Sequence, residues 1–372
     1  MKINTIFIVS TNRSDYGLLQ ILIKKIDFLS RYKLKVIRLL NNELSFIDKT
    51  IKVEWDEEII PYSSSSFDNQ KSLSGLLEIG KVFADLLLKY EPKLIIVLGD
   101  RYELLQIISQ ALISNIKIAH ISGGEITLGA IDDKIRNMVS FASSIHFVAH
   151  KEAKDRLGLI LGNRESHNIH EVGEPGLEEI KNTNFKSKYE LSEIYKLDLT
   201  DKFILSTFHP ETNNRNFKND AETFFNTLLK IDNRYPLLIS FGNNDPIGFD
   251  LNKLMKDTLS KRSNTYICNS FGQVNFWSLL SYAHLIIGNS SCGLVEAPFL
   301  GCWTIDVGNR QNGRIFGKTV KRVAINQREI NDALLYFLNR KRSEVRSSPY
   351  GNGITSNLII KVIDNFFKNE SY

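Results

Sequence analysis

The run Leu94-Ile95-Ile96-Val97-Leu98, which ends in Gly99-Asp100, constrains this chain's fold more than any other segment. A strand has a side-chain period of two, and here both faces are apolar, so neither can be turned to water. Such a run belongs in the middle of a parallel sheet covered on both sides by helices. Other short β-branched runs recur along the chain and alternate with amphipathic stretches of helical length, the pattern of an α/β protein. In the first half, strands are expected over 3–10, 34–40, 94–98, 116–121 and 145–149, with helices over 17–30, 71–90, 102–113 and 133–144. A polar, lysine-rich stretch, 180–201, marks a domain junction. A second series follows, with strands near 203–208, 236–241, 265–268 and 284–288 and helices near 218–231, 248–260, 273–282 and 293–300.

At 372 residues the chain exceeds one ordinary core, and two domains are the natural expectation. The reading is two Rossmann-like domains, 1–185 and 186–353. The turn-rich stretch 343–353 leads into a last helix, 354–372, expected to cross back to the first domain. Its residues Leu358, Ile359, Val362, Ile363, Phe366 and Phe367 form one apolar face that needs a surface to cover it.

Composition narrows the function classes. An apolar fraction of 42% with 24% charged residues is that of a soluble globular protein. The net charge of +5 is scattered along the chain, which argues against nucleic acid or an anionic membrane as partner. Cys268, Cys292 and Cys302 are odd in number and show no paired spacing, as expected of a reduced, cytoplasmic protein. No apolar run is long enough to cross a bilayer. The first residues read as a strand entering the fold and lack a leader's cleavage site.

Five polar clusters follow the expected strands. Thr11-Asn12-Arg13-Ser14-Asp15-Tyr16-Gly17 offers hydroxyls, amides and a guanidinium at a strand-to-helix turn, suited to a diphosphate or a leaving oxygen; alternatively, Ser14 or Asp15 caps the next helix. Gly99-Asp100-Arg101-Tyr102-Glu103 places a carboxylate at the end of the buried strand, either facing a cleft or capping. His120-Ile121-Ser122-Gly123-Gly124-Glu125 sets an acid after two glycines, and Asp132 or Asp133 opens the following helix, one of the pair as its cap. With Asp100 these acids bring three carboxylates to neighbouring strand ends. Removing a carbon-bound proton needs a positioned base, a departing diphosphate needs stabilisation, and clustered carboxylates can hold different protonation states. No ligand spacing repeats around His120, so a metal site is not read here. His209, in Ser206-Thr207-Phe208-His209, follows the first strand of the second half. Finally, Asn289-Ser290-Ser291-Cys292-Gly293 leads towards Glu296, where a helix amino end is expected to hold nucleotide phosphates and Glu296 the ribose hydroxyls. Arg310 and Arg314 lie after the next strand.

The motifs TNRSDYG, LGDRYE, HISGGE, AIDDKIR, STFHPET, NSSCGLVEAP and GNRQNGR, taken in order, make the chain resemble the UDP-N-acetylglucosamine 2-epimerases. The likeness spans nearly the whole chain and is closer to the hydrolysing branch, which feeds sialic-acid-type sugar synthesis. It implies a glycosyltransferase-B-like fold with the active site in the cleft between the domains. It also implies catalytic roles for Asp100, Glu125 and Asp132, and leaving-group or phosphate contacts for Arg13 and His209. Asn289, Ser290, Ser291, Gly293 and Glu296 would form the nucleotide site, with Arg310 and Arg314 on its phosphate side. The implied reaction removes the C2 proton, expels UDP to leave a 2-acetamidoglucal, and adds water to give N-acetylmannosamine, with no cofactor and no metal. A homo-oligomer, dimer or tetramer, is expected.

Two positions depart from the hydrolysing pattern. Asn137 follows Arg136 where relatives often carry histidine, and Leu128 stands where several have an acid. Both lie at the sugar end and bear on whether the substrate is plain UDP-N-acetylglucosamine. The alternative is the related branch that acts on UDP- or GDP-N,N'-diacetylbacillosamine in legionaminic acid synthesis, whose deoxygenated sugar the lost polarity at Leu128 would suit. A glycosyltransferase of similar architecture, or a non-catalytic nucleotide-sugar sensor, would use the same nucleotide half. Neither needs three carboxylates in the first half.

Overall fold

The computed structural model describes residues 3–41, 55–64, 69–126, 131–162, 168–209, 217–241 and 246–369, and only the backbone of Arg13, Ser14, Asn69 and residues 246–250. The chain divides into two compact units. The main boundary falls between Glu179 and Ile180, and residues 353–372 return to the first unit.

Unit 1 runs β1 (Asn4–Ser10), α1 (Arg13–Asp27), β2 (Tyr32–Asn41), β3 (Glu57–Tyr62), α2 (Asn69–Tyr90), β4 (Leu94–Leu98), α3 (Leu104–Ile113), β5 (Lys117–Ile121), α4 (Ile131–Ala142), β6 (Ile145–Val148), α5 (Lys151–Ile160), β7 (Ile169–Glu171) and α6 (Pro175–Asn182). Its seven strands are parallel, in the order β3-β2-β1-β4-β5-β6-β7. Strand alternation explains the double-sided apolar runs. Ile6, Ile8, Leu94, Ile96 and Leu98 enter one core against α1, while Phe7, Val9, Ile95 and Val97 enter the other against α2 and α3. Each such side chain contributes roughly 1.5–3 kcal/mol by leaving water.

Unit 2 runs α7 (Lys188–Tyr195), β8 (Ile204–Thr207), α8 (Phe217–Leu229), β9 (Leu237–Ser240), α9 (Pro246–Leu259), β10 (Thr265–Cys268), α10 (Gln273–Tyr282), β11 (Leu285–Gly288), α11 (Glu296–Phe299), β12 (Trp303–Val307), β13 (Val320–Val323) and α12 (Gln327–Leu338). Its sheet is also parallel, in the order β10-β9-β8-β11-β12-β13. Among the described residues, no helix is long and apolar enough to cross a membrane.

Several sequence expectations are corrected here. The first helix starts at Arg13 instead of 17, and its cap is Asn12, whose side chain accepts from the Asp15 N–H, so neither Ser14 nor Asp15 is the cap. The polar stretch 180–201 contains α7, which opens on a Ser187–Glu190 capping box, a legible signal. The helix expected over 293–300 is a 3-10 turn, Ser291–Gly293, followed by the single turn of α11. β3, β7, β13, α5, α6 and α12 lay outside the expected elements.

The last helix, α13 (Thr355–Asn369), packs Ile359, Ile363 and Phe367 into the α1 side of the unit 1 core. Its amino end is held by the buried Glu178 of α6, which accepts from the Ser356 N–H at 2.6 Å and from Lys25 Nζ at 2.7 Å. Arg31 adds a bidentate pair to Asp364 at 2.9 and 2.8 Å. Glu178→Ala strands two donors at once and is expected to destabilise this docking by about 2–3 kcal/mol. Amide hydrogen exchange should accelerate along α13 well before it does in β4.

Candidate active site

Strand order reverses between β1 and β4 in unit 1, and between β8 and β11 in unit 2. Crossovers leave such a pair in opposite directions and open a crevice at its carboxyl ends, where α/β proteins bind ligands. The polar clusters following β1 and β4 therefore become neighbours, as do those following β8 and β11.

In unit 1, the Gly99–Asp100 turn is pinned by His120, whose Nε2 lies 2.8 Å from the Gly99 carbonyl while Nδ1 meets Ser140 Oγ at 3.0 Å. Burial lowers the His120 pKa to about 4, so it is a neutral structural group. Asp100 does not cap α3, whose cap residue is Glu103. Its carboxylate instead receives Arg136 Nη2. Arg136, only 4% exposed, also donates through Nη1 to the Glu125 carbonyl at 2.9 Å and to Asp133 Oδ1 at 3.2 Å. One guanidinium thus joins Asp100, Asp133 and the Glu125 backbone.

Asp132 and Asp133 both lie inside the first turn of α4, which begins at Ile131, so neither is its cap. Favourable alignment with the helix dipole suits both acids there. Asp133 accepts from Arg136, and Asp132 lies beside it, partly exposed. Asn137 is on the same helix, whereas Leu128 lies outside the described residues.

Glu125 follows a turn that only glycine fits. Gly124 has φ +76°, and a Cβ there would lie 2.4 Å from the Ala153 carbonyl oxygen. Arg156 donates to the Gly124 carbonyl. Glu125 Oε1 sits 2.8 Å from His150 Nε2.

Asp15 enters this neighbourhood from α1. It accepts from Thr11 Oγ1. Burial pushes its pKa up to about 6, against the Thr11 hydrogen bond and Arg101, while Asp100 and Glu103 add to the rise. Glu103 is fully buried and accepts from Tyr62 Oη and Arg101 Nη2, each at 2.9 Å. Arg13 is the first residue of α1, and its side chain lies outside the described residues.

In unit 2, Gly288 has φ +150°, and a Cβ there would stand 1.8 Å from the Thr207 carbonyl oxygen, so glycine allows β8 and β11 to meet at their ends. The buried Asn289 then joins the two strand-end loops. Its Oδ1 accepts from the His209 N–H at 2.7 Å and its Nδ2 donates to the His209 carbonyl at 2.8 Å. Its own carbonyl accepts from Gln311 Nε2 at 2.8 Å and Arg310 Nη1 at 3.1 Å. Burial, with Arg310 nearby, lowers the His209 pKa to about 4. Its ring is therefore neutral near pH 7, and its buried Nδ1 has no hydrogen-bond partner among the described residues.

Ser290 and Ser291 begin the 3-10 turn, and Gly293 packs under β12, its carbonyl accepting from Thr304 Oγ1 at 2.8 Å. A single helical turn has no useful macrodipole, so the expected helix amino end for phosphates is absent and the hydroxyls and amides of the turn remain. Glu296 opens α11, and burial pushes its pKa up to about 7, against its own backbone hydrogen bond and Arg314.

The sequence reading missed Asp15 as a titrating group, Arg136 as the joint of the acids, His150 beside Glu125, and Gln311 beneath Asn289. Only Arg136 carried a signal, its i,i+3 spacing from Asp133. Asp15 makes a pH prediction. Its folded pKa lies above the unfolded value, so destabilisation is absent below about pH 4, grows as pH rises, and is complete above about pH 6, at roughly 3 kcal/mol or less. Asp15→Asn keeps an acceptor for Thr11 and is expected to raise the melting temperature near pH 8 but not near pH 4.

Comparison with known proteins bears on the family and the fold. The family model of UDP-N-acetylglucosamine 2-epimerase matches residues 62–364. A GDP/UDP-N,N'-diacetylbacillosamine 2-epimerase (hydrolyzing) of Campylobacter jejuni is 32% identical over 85% of this chain and 83% of its own. A UDP-N,N'-diacetylbacillosamine 2-epimerase (hydrolyzing) of Legionella pneumophila is 26% identical over 95% of this chain and 94% of its own. Among solved structures, the UDP-GlcNAc 2-epimerase of Neisseria meningitidis bound to UDP-GlcNAc superposes with a TM-score of 0.77 at 18% identity, covering 97% of this chain and all of that one, a likeness of fold. Two parallel sheets with alternating helices, built as in glycosyltransferase-B-like structures, and a family match across most of the sequence place the chain in the UDP-N-acetylglucosamine 2-epimerase family, enzymes acting on nucleotide sugars.

Proposed function

We propose that this enzyme is a hydrolysing 2-epimerase, converting a UDP-linked 2-acetamido sugar and water into UDP and the free 2-epimeric sugar. The observation that carries the reading is the acid cluster of unit 1, with Asp100 and Asp133 on one buried guanidinium and Glu125 fixed through its backbone to the same group. A base in this cluster takes the C2 proton, the C1–O bond breaks with its electrons staying on UDP, and the C2–H electrons form the C1–C2 double bond of the glycal. Water then adds its oxygen to C1, and a proton returns to C2 on the opposite face. Asp100, Glu125 and Asp132 are assigned to these proton transfers, with Asp133 beside Asp132 as the acid that shares Arg136. Arg13 and His209 are assigned to the departing diphosphate, a neutral imidazole suiting hydrogen bonding to phosphate oxygens. Ser290, Ser291 and the Gly293 turn, held in register by Asn289, are assigned to the nucleotide with Glu296 on the ribose, and Arg310 and Arg314 to its phosphates.

UDP-N-acetylglucosamine, giving N-acetylmannosamine for sialic-acid-type synthesis, is the substrate that follows from the motifs. A second reading, UDP- or GDP-N,N'-diacetylbacillosamine on the legionaminic acid route, is favoured by the names of the Campylobacter and Legionella relatives. Incubation with each sugar nucleotide in heavy water, followed by NMR, tests both. The expected product is a free sugar inverted at C2 with one deuterium there, alongside the nucleoside diphosphate. A product still linked to UDP identifies the non-hydrolysing reaction instead, and transfer to an acceptor with C2 unchanged identifies a glycosyltransferase.

Glu296 makes a binding prediction. It accepts ribose hydroxyls best when ionised, and with a pKa near 7 it loses its charge as pH falls from about 8 to 6. UDP affinity should weaken over that interval. Glu296→Gln is expected to lower affinity at pH 8 by about ten- to a hundred-fold and to remove the part of the pH dependence beyond the ligand's own ionisation. Calorimetric titration of both proteins across the interval measures it.

A further inference from the structure

His150 is the amino cap of α5, and its Nδ1 accepts the Ala153 N–H at 3.1 Å. A ring nitrogen that accepts a backbone N–H carries no proton, so the neutral imidazole must hold its proton on Nε2. That atom lies 2.8 Å from Glu125 Oε1, short of full hydrogen-bond alignment but at ion-pair distance. A bare ring nitrogen and a buried carboxylate oxygen repel at such a separation, so a proton lies between them, whereas the longer approach of Glu152 to Nδ1 is screened by water because Glu152 is 59% exposed. His150 is 3% exposed and Glu125 10%, which strengthens the interaction by excluding water.

We propose that His150 is a positioning residue for Glu125: the cap it forms on α5 fixes its tautomer, and the resulting Nε2–H holds the Glu125 carboxylate ionised and oriented. The role given to Glu125 rests on the hydrolysing 2-epimerase reading. The tautomer and the pairing do not. Arg136 of α4 donates to the Glu125 carbonyl and links it to Asp100 and Asp133, and Arg156 of α5 donates to the Gly124 carbonyl. Glu152 Oε2 lies 3.2 Å from His150 Nδ1, so ring protonation would favour Glu152 over the Ala153 N–H and break the cap. The same histidine therefore couples the start of α5 to the charge on Glu125.

Two arms test the proposal. In the full-length protein, heteronuclear NMR of the imidazole nitrogens should show His150 protonated at Nε2, with the Nε2 resonance displaced in Glu125→Gln. The opposite tautomer, or an Nε2 resonance unmoved by that substitution, overturns the proposal whatever reaction the enzyme performs. The kinetic arm compares His150→Asn with His150→Ala. Asparagine is a strong amino cap but has no donor that reproduces Nε2–H, so it should keep the melting temperature near wild type. Its turnover should fall about ten- to a hundred-fold with KM little changed, and the acidic limb of its pH–rate profile should move up by about one unit. Alanine should lose both stability and turnover. Wild-type turnover and an unshifted pH profile in His150→Asn would overturn the proposal while leaving the functional reading intact. A wild-type enzyme inactive on every sugar nucleotide refutes that reading, and the NMR arm then decides the pairing alone.

Discussion

Parallel pairing between strands whose crossovers leave in opposite directions is the constraint on which the rest of this molecule depends. β1 lies beside β4, and β8 beside β11, with residues aligned from Ile6 opposite Leu94 in one sheet and Leu285 opposite Ile204 in the other. Because each pair is the place where strand order reverses, no connection crosses over its carboxyl ends. The backbone groups there are left for turns, and those turns carry the polar residues. In unit 2 the approach is so close that the Thr207 carbonyl occupies the space a Cβ at position 288 would need. Asn289 then replaces the ladder by bonding both backbone groups of His209 through its side-chain amide.

Charge at these turns is retained by pairing instead of by exposure. Burying a guanidinium is expensive unless several acceptors surround it, and Arg136 meets two carboxylates and a main-chain carbonyl. Glu103 is likewise held by Tyr62 and Arg101. Where compensation is thinner the protonation equilibrium moves instead: burial raises Asp15 to about 6 and Glu296 to about 7, and it lowers His209 to about 4. Displaced acids and a displaced histidine of this kind are common where chemistry is done.

Hydrogen-bonded loops connect the two kinds of constraint. The His120 ring fixes the turn bearing Asp100, and the amide of Gln311 supports the carbonyl of Asn289 from below. Arg322 in turn holds the Gln311 carbonyl at 2.9 Å and Asp306 at 2.7 Å. Neither Gln311 nor Arg322 belongs to the proposed substrate contacts, yet both set where those contacts stand.

Alternation of double-sided apolar runs with amphipathic stretches was enough to establish an α/β chain with two parallel sheets, because a strand without a polar face has few other places to go. It also located β4 and β10 at their observed limits and put each polar cluster at a strand end. The short edge strands β7 and β13 escaped notice, since three or four residues with little burial carry almost no periodic signal. Caps were legible only in part: Ser187 with Glu190 spells a capping box, but nothing local distinguishes Asn12 from Ser14 as the start of α1. What tertiary structure alone decided were the pairings. The joining of Asp100 to Asp133 through Arg136, the meeting of Glu125 with His150, and the pKa of Asp15 depend on which strand ends become neighbours and how far water is excluded. Sequence determined which side chains stand at the ends of the strands; packing decided which of them share a proton or a charge, because electrostatic coupling depends on distance through space and not along the chain.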